Sequence, residues 1–372
     1  MNLEAWVKLN AAPEIGPRRF HRLLRAFGSP EAALAASPKA WSQAAERLSP
    51  ERCAESQARA RAFDAARELE RCARAGVRMA CFRDPDYPAA LLSIYDPPPL
   101  LYWRGDLLPQ DRRAVALVGT RKPTGYGIKQ ATALAQGLAG HGVTVVSGLA
   151  RGIDTCSHQA ALEAGGRTLA VLGTGLGLVY PEENTALARR IAQGGGAVLS
   201  QYHLDAQPEK FRFPLRNATI SGLALGVVVV EGEEDSGSLI TADHALEQGR
   251  EVFAVPGALD SPMSAGPLRL IQQGGAKLVR SVDDILVELA APRPLAPPAA
   301  PAEEAPAQPL PRTDLKGDEA ALHALLRESG REGIESLAAR CGMAAGPLAA
   351  TLTLLEIKGA VRQLPGKQFE AL

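Results

Sequence analysis

Residues 114–127 read AVALVGTRKPTGYG. An apolar run, Ala114–Val118, ends at Gly119-Thr120-Arg121-Lys122. Thr124-Gly125-Tyr126-Gly127 then opens a segment with Ile128, Leu134 and Leu138 on one helical face. A strand that is apolar almost throughout is covered on both sides, as in a parallel sheet with helices on each face. The pattern recurs at Val143–Val146, Thr168–Leu172, Ala197–Leu199, Val227–Val230 and Val252–Val255, with helical patterns between several of these runs. Residues 112–290 therefore predict an α/β fold with a mostly parallel sheet and helices on each face. Ligands bind such a sheet beyond the C-terminal ends of its strands.

Upstream, residues 1–75 read as helical. Gly16-Pro17 opens a segment with Phe20, Leu23, Leu24 and Phe27 at helical spacing, Gly28 ends it, and Ser29-Pro30-Glu31 starts another helix. From Val77 to Asp106 the chain is rich in proline and aromatics and predicts an extended lead-in. Downstream, Pro292–Pro311 holds eight of the 28 prolines and reads as a semi-rigid spacer. Residues 318–372 then predict helices, a turn at Gly342, a helix Pro347–Ile357 with Leu348, Leu352 and Leu355 inward, and a hairpin around Pro365-Gly366-Lys367. The expected division is a helical domain at 1–75, the α/β domain with its lead-in at 76–290, a linker at 291–317 and a winged-helix-like domain at 318–372.

The chain has 372 residues, 46% hydrophobic and 22% charged, so it can bury more than one core. Lys plus Arg and Asp plus Glu are both 41, which excludes a grossly basic nucleic-acid coat or an acidic tail protein while allowing a local basic groove. Cys53, Cys72, Cys81, Cys156 and Cys341 are odd in number and none are in CxxC spacing, against a disulfide framework or a structural zinc site. The first residues lack a signal-peptide pattern and no apolar run reaches a membrane span, so a cytoplasmic location without membrane contact is expected.

Five segments carry polar chemistry. After the first strand, Gly119 to Gly127 could place a phosphate at a helix N-terminus beside Arg121, although the GxGxxG fingerprint is absent. The competing reading is a tight strand-to-helix turn. After the second strand, Ser147-Gly148-Leu149-Ala150-Arg151-Gly152-Ile153-Asp154 repeats small residues and an arginine. Asp154 and His158, one helical turn apart, could pair for metal or acid–base work; a helix cap and a packed histidine are favoured over that. Gly173-Thr174-Gly175-Leu176-Gly177, followed by Tyr180-Pro181, reads as a structural turn. Lys210-Phe211-Arg212-Phe213-Pro214-Leu215-Arg216-Asn217 interleaves three cations and two aromatics, suited to phosphates and stacked bases; the alternative is core phenylalanines with solvated cations. Glu231-Gly232-Glu233-Glu234-Asp235, then Ser236-Gly237-Ser238, combines an acidic run with an anion nest and leaves its direction open. Walker A, GxSxG and HExxH patterns are absent.

Read in order, VALVGTRKPTGYG, VVSGLARGIDTCSH, GGRTLAVLGTGLGLVYPEEN, FPLRN, VVVVEGEEDSGSLITA and GREVFAVPG resemble the DNA processing protein A family (DprA, also called Smf). DPDYPAALLSIYDPPPLLYWRGDL is similar to that family's lead-in. EIGPRRFHRLLRAFGSPEAA is similar to its helix-hairpin-helix or SAM-like domain, and ESLAARCGM with LEIKGAVRQLPG to its winged helix. The resemblance implies an extended Rossmann domain that binds single-stranded DNA, forms a homodimer and helps load RecA recombinase during natural transformation. It also implies a DNA pocket at Gly119, Thr120, Arg121, Lys210, Phe213, Arg216 and Asn217. Thr120 stands where the family usually has Ser, Ala218 replaces an Arg, Gln201 a Glu, Ser157 an Ala, and Glu14 a Gly.

The resulting expectation is a sequence-independent binder of single-stranded DNA without catalytic residues, cofactor or metal. Arg121, Lys122, Arg151, Lys210 and Arg216 would hold the backbone. Gly119, Ser147, Gly148 and Gly237 would admit the strand to the main chain, and Phe213 would stack a base; weak duplex binding is a further expectation. Two rival classes are a nucleotide-cleaving enzyme of the lysine-decarboxylase-like Rossmann group, with Glu231 or a neighbour as acid, and a transcription regulator acting through residues 318–372. The first lacks its PGGxGT loop, Val255-Pro256-Gly257-Ala258 being the nearest match. The second offers only Thr351, Thr353, Glu356 and Lys358 on its recognition helix, a poor set for base readout.

Overall fold

The structure is a computed structural model that describes residues 2–46, 48–290, 315, 317–358, 360–364 and 368–371. Almost all of the expected linker at 291–317, and the turn Pro365-Gly366-Lys367, lie outside the described residues. The chain forms two compact units, Met1–Pro298 and Ala299–Leu372.

In the first unit nine strands make one sheet: β1 (Arg78–Cys81), β2 (Leu100–Gly105), β3 (Ala114–Val118), β4 (Thr144–Ser147), β5 (Thr168–Leu172), β6 (Gly196–Ser200), β7 (Gly226–Val229), β8 (Glu251–Ala254) and β9 (Lys277–Leu278). Their order is β1-β2-β6-β5-β4-β3-β7-β8-β9. From β6 to β9 all neighbours are parallel, whereas β2 pairs antiparallel with β6, and β1 with β2. Every residue of β3, β4, β5, β6 and β7 is buried, which is why their sequences show no alternation. The sequence reading covers the six parallel strands from β3 to β8. It leaves β1 and β2 as an extended lead-in, because nothing local to Arg78–Gly105 says which edge those strands join.

Each sheet face has its own cover. Ala116, Val118 and Val146 pack with Ile220, Leu223, Leu239 and Ala242, from the helices Arg212–Leu223 and Gly237–Glu247. On the opposite face Val115, Leu117 and Val145 meet Leu134, Leu138, Ile153 and Ala161, from the helices Gly125–Gly140 and Ile153–Glu163. Toward β2 that face passes to the N-terminal helices: Leu100, Tyr102, Leu172 and Val198 share one core with Trp6, Leu9, Phe20 and Leu23. Those helices span Leu3 to Arg74. Three of them begin alike, Ser29, Ser37 and Ser49 each capping a helix that starts with Pro30, Pro38 or Pro50. The hydroxyl takes up an orphan N–H and the proline needs none.

The second unit packs the helices Asp318–Ser329, Ile334–Cys341 and Ala345–Ile357 on a three-stranded sheet of β10 (Glu332–Gly333), β11 (Val361–Leu364) and β12 (Gln368–Ala371), ordered β10-β12-β11. Leu322, Leu326, Leu337, Leu348, Leu352, Leu355, Val361 and Phe369 form its core. Among the described residues no helix is long and apolar enough to cross a membrane.

Candidate nucleic-acid interface

The chain runs from β3 outward through β4, β5 and β6, then returns to β7 on the other side of β3. The helix after β3 lies on one face and the helix after β7 on the other, so a crevice opens between the two strand ends. Glu231, separated from the end of β7 by Val230 alone, reaches into it. Its carboxylate accepts hydrogen bonds from Thr124 N at 2.9 Å and Thr124 Oγ1 at 2.6 Å. Thr124 Oγ1 in turn accepts from Gly127 N at 3.2 Å, capping the helix Gly125–Gly140. The carboxylate lies where a Gly127 side chain would be, so only glycine fits there. The expected phosphate seat at this helix start is thus corrected: the protein's own carboxylate satisfies these donors, and a second anion would be repelled. Glu231 is 3% exposed, while Glu233, Glu234 and Asp235 face solvent, which gives the acidic run its direction.

A shallow pocket lies beside this crevice, over the ends of β3, β4 and β5. Arg121, Gly148, Ala150, Arg151, Tyr180, Pro181, Phe213 and Arg216 line it. At its centre is the Phe213 ring, in the first turn of the helix Arg212–Leu223, half-buried against Gly173. The Arg121 and Arg216 guanidinium carbons each lie 5.8 Å from its centroid, and the Tyr180 ring is 5.9 Å away, tilted by 53°. Cations in that range are attracted by the electron-rich ring face.

The two arginines differ in environment. Arg121 is exposed, and among the described residues makes no ion pair. Arg216 is 5% exposed; its Nη1 donates to Gly148 O at 2.7 Å and to Val171 O, and its Nε to Asn217 Oδ1 at 3.2 Å. The guanidinium and the Asp154 carboxylate both come within 2.8 Å of where a Gly148 side chain would begin, so a side chain there would displace a buried charge. Burial pushes the Asp154 carboxyl up from its ordinary range, and the Arg216 charge works against that rise. Burial likewise lowers Arg216, with Asp154 opposing. Arg216 is therefore buried beside the ring, its guanidinium held by backbone carbonyls, and it still lines the pocket. Gly148 makes room for that guanidinium and also lines the pocket.

The remaining expected site residues divide by position. Lys122 and Lys210 are exposed, without an ion pair among the described residues. Thr120 Oγ1 accepts from Lys122 N at 3.2 Å and shapes the Arg121 loop. Asn217 Nδ2 donates to Gly237 O at 3.2 Å, joining two helix starts, and Gly237 is exposed with open space beside it. Gly119 faces Ile153 and Glu231 O. Ser147 is wholly buried, its Oγ donating to Leu117 O at 2.6 Å, so the expectation that it meets a strand is corrected. Arg151 is held by Glu183 through two hydrogen bonds of 2.8 and 2.9 Å, both side chains being 55% exposed.

Asp154 does not cap its helix, which follows Gly152; it accepts from Gly148 N at 3.1 Å and Ala150 N at 3.2 Å and so ties the preceding loop. His158 is wholly buried beside Thr168 Oγ1 at 2.6 Å, and burial pushes its pKa down to about 3, so it stays neutral. Three pocket residues escaped the sequence reading: Ala150, Tyr180 and Pro181. Tyr180-Pro181, a few residues past a glycine-rich turn, was the available signal, since an aromatic at a strand-end loop can face a ligand.

An open, mostly parallel α/β sheet with a carboxylate at its β3–β7 crevice and a cationic aromatic pocket beside it defines a Rossmann-like α/β protein. Residues 78–290 match the family DNA recombination-mediator protein A, residues 2–62 a DprA-like N-terminal HHH domain, and residues 290–367 a DprA winged helix domain. The chain belongs to the DprA/Smf family. It is 48% identical over 215 residues to the DNA processing protein DprA of Bacillus subtilis (strain 168), covering 58% of this chain and 72% of that one. The crystal structure of DNA processing protein A from Streptococcus pneumoniae superposes with a TM-score of 0.64 at 37% identity, over 76% of this chain and 95% of that one. The Helicobacter pylori DNA processing protein A, solved for its single-stranded DNA binding mode, gives 0.52 at 30% identity, over 57% of this chain and 95% of that one.

Proposed function

We propose that this protein binds single-stranded DNA without regard to sequence, at the Phe213 pocket. The observation that carries the reading is a half-buried aromatic ring beside one exposed guanidinium, without an ion pair among the described residues, and one buried guanidinium, at the C-terminal edge of a parallel sheet. Every base has a face to stack on Phe213, while Arg121, Lys122 and Lys210 meet phosphates. Duplex DNA hides its base faces and would bind weakly. Oligothymidylate binding followed by fluorescence anisotropy across salt concentrations tests the reading. Arg121→Ala should weaken binding about tenfold and lower the log–log salt slope by about 0.7, one phosphate contact. Wild-type affinity in that variant would remove the pocket from the reaction.

One pocket meets few nucleotides, so useful affinity calls for a homodimer through the Rossmann domain, two pockets acting on one strand. The sheet edge at β9, with Leu246 and Leu278 exposed, supports such pairing. Light scattering should find a dimer at micromolar concentration; a monomer that binds equally well would remove the avidity argument. Family membership supports delivery of the bound strand to RecA recombinase. The protein acts as a binder and not as a catalyst in this reading: Glu231, the acid of the nucleotide-cleaving alternative, is engaged by Thr124. The transcription-regulator alternative finds little support in the helix Ala345–Ile357. Thr351 and Thr353 donate to carbonyls of their own helix, and Lys358 pairs with Glu319 at 2.6 Å.

A further inference from the structure

The Phe213 pocket continues past Tyr180. Arg151, Tyr180 and Pro181 also line a second, larger groove of about 1070 Å³. Its lining includes four buried apolar residues, Leu172 at the end of β5, Leu176, Ala188 and Val198 of β6. Arg104, from β2, and Arg189, from the helix Thr185–Arg190, also line it. Arg189 is exposed without an ion pair among the described residues, and Arg104 uses its Nε on Ala75 O at 3.2 Å. Pockets of this volume accommodate drug-sized ligands, so more than one nucleotide fits. The Arg151–Glu183 ion pair stands where the two cavities meet. An ion pair as exposed as this adds little stability and yields to a competing anion at small cost.

We propose that this groove is the second stretch of the DNA track, taking the nucleotides adjacent to the one stacked on Phe213, with Arg189 and Arg104 on their phosphates, the apolar lining against their bases, and the Arg151–Glu183 pair opening to admit them. The proposal rests on the single-strand reading of the Phe213 pocket. Continuity with that pocket and the unpaired cation at the groove favour a running strand over a free nucleotide.

Anisotropy on the full chain with a thymidine tetranucleotide and a decanucleotide tests it. Arg189→Ala should weaken the decanucleotide roughly three- to tenfold and lower its salt slope by about 0.7, leaving the tetranucleotide unchanged. Glu183→Gln should tighten the decanucleotide roughly two- to fivefold, because Arg151 is then free for phosphate. Wild-type binding of the decanucleotide by Arg189→Ala, or equal weakening of both lengths, overturns the groove. Unchanged or weaker decanucleotide binding by Glu183→Gln overturns the opening of the pair. Arg121→Ala in the same assay separates the two levels: wild-type binding of both lengths overturns the Phe213 pocket itself, whereas loss of both with an unaffected Arg189→Ala overturns the groove alone.

Discussion

Two anion seats lie side by side at the C-terminal edge of one sheet, and they have opposite fates. Between β3 and β7 the protein supplies its own anion, Glu231, and the seat is closed. Over β3, β4 and β5 it buries one cation, Arg216, against backbone carbonyls and a facing carboxylate, and leaves another, Arg121, in solvent. The difference lies in which charges the fold has already matched. A matched buried charge contributes to structure, and removing its partner is costly. An unmatched exposed charge contributes little to stability and is available to a ligand.

The sharpest way to break this contrast is to remove each arginine in turn. Arg216→Ala strips the buried Asp154 carboxylate of its facing cation and should cost about 3–5 kcal/mol in urea unfolding. Arg121→Ala should stay within about 0.5 kcal/mol of wild type. Equal costs would mean that the two guanidiniums are not in different environments. Next comes the closed seat: Glu231→Ala orphans Thr124 and should lose about 1.5–3 kcal/mol, with oligonucleotide affinity within about twofold. A large loss of binding there would place the strand in the crevice after all.

Phe213→Ala acts on the open seat alone. Stacking of one base is worth about 1–3 kcal/mol, so affinity should fall by that amount at every salt concentration, with the salt slope unchanged. A changed slope would show that the ring positions a cation and does not carry a base.

The smallest effect concerns pH and the dryness of the floor beneath the pocket. His158, wholly buried, has its pKa lowered to about 3 from the model-compound value of 6.5. Between those values the unfolded chain takes up a proton that the folded chain refuses, so stability is lost as pH falls below 6.5. One such group contributes a slope of up to about 1.4 kcal/mol per pH unit. His21 and His203, also lowered by burial, act in the same direction. Asp154, raised by burial, acts in the opposite one, gaining stability as pH falls through its elevated value. Urea midpoints at pH 7 and pH 5 should therefore converge partly in His158→Gln; an unaltered difference would mean that water reaches the ring.

Much of this arrangement was legible without coordinates. The six apolar runs became β3 to β8 because continuous hydrophobicity suits only a strand covered on both faces. The family resemblance grouped Arg121 with Phe213 and Arg216, which lie far along the chain from it, and the three line one pocket. Their division of labour was not legible. Arg121 and Arg216 are the same residue type beside the same ring, and what tells them apart is Arg216's burial against the carbonyls of Gly148 and Val171, Asn217 and the Asp154 carboxylate. Ser147 and Gly148 looked accessible because small residues at strand ends often leave room for a ligand. Ser147 is instead wholly buried against Leu117 O, and beside Gly148 that room is taken by Arg216 and Asp154.

The sequence by itself determined the layered α/β sheet, the helical N-terminal region and the C-terminal unit, because hydrophobic periodicity and turn residues are local properties that each segment carries alone. It also determined the family, through long motifs in fixed order. Tertiary structure alone decided the addition of β1 and β2 to the sheet, the closure of the β3–β7 crevice by Glu231, and which cations face solvent. Those outcomes depend on which groups meet across tens or hundreds of residues, and burial sets the worth of a charge only once its neighbours are in place.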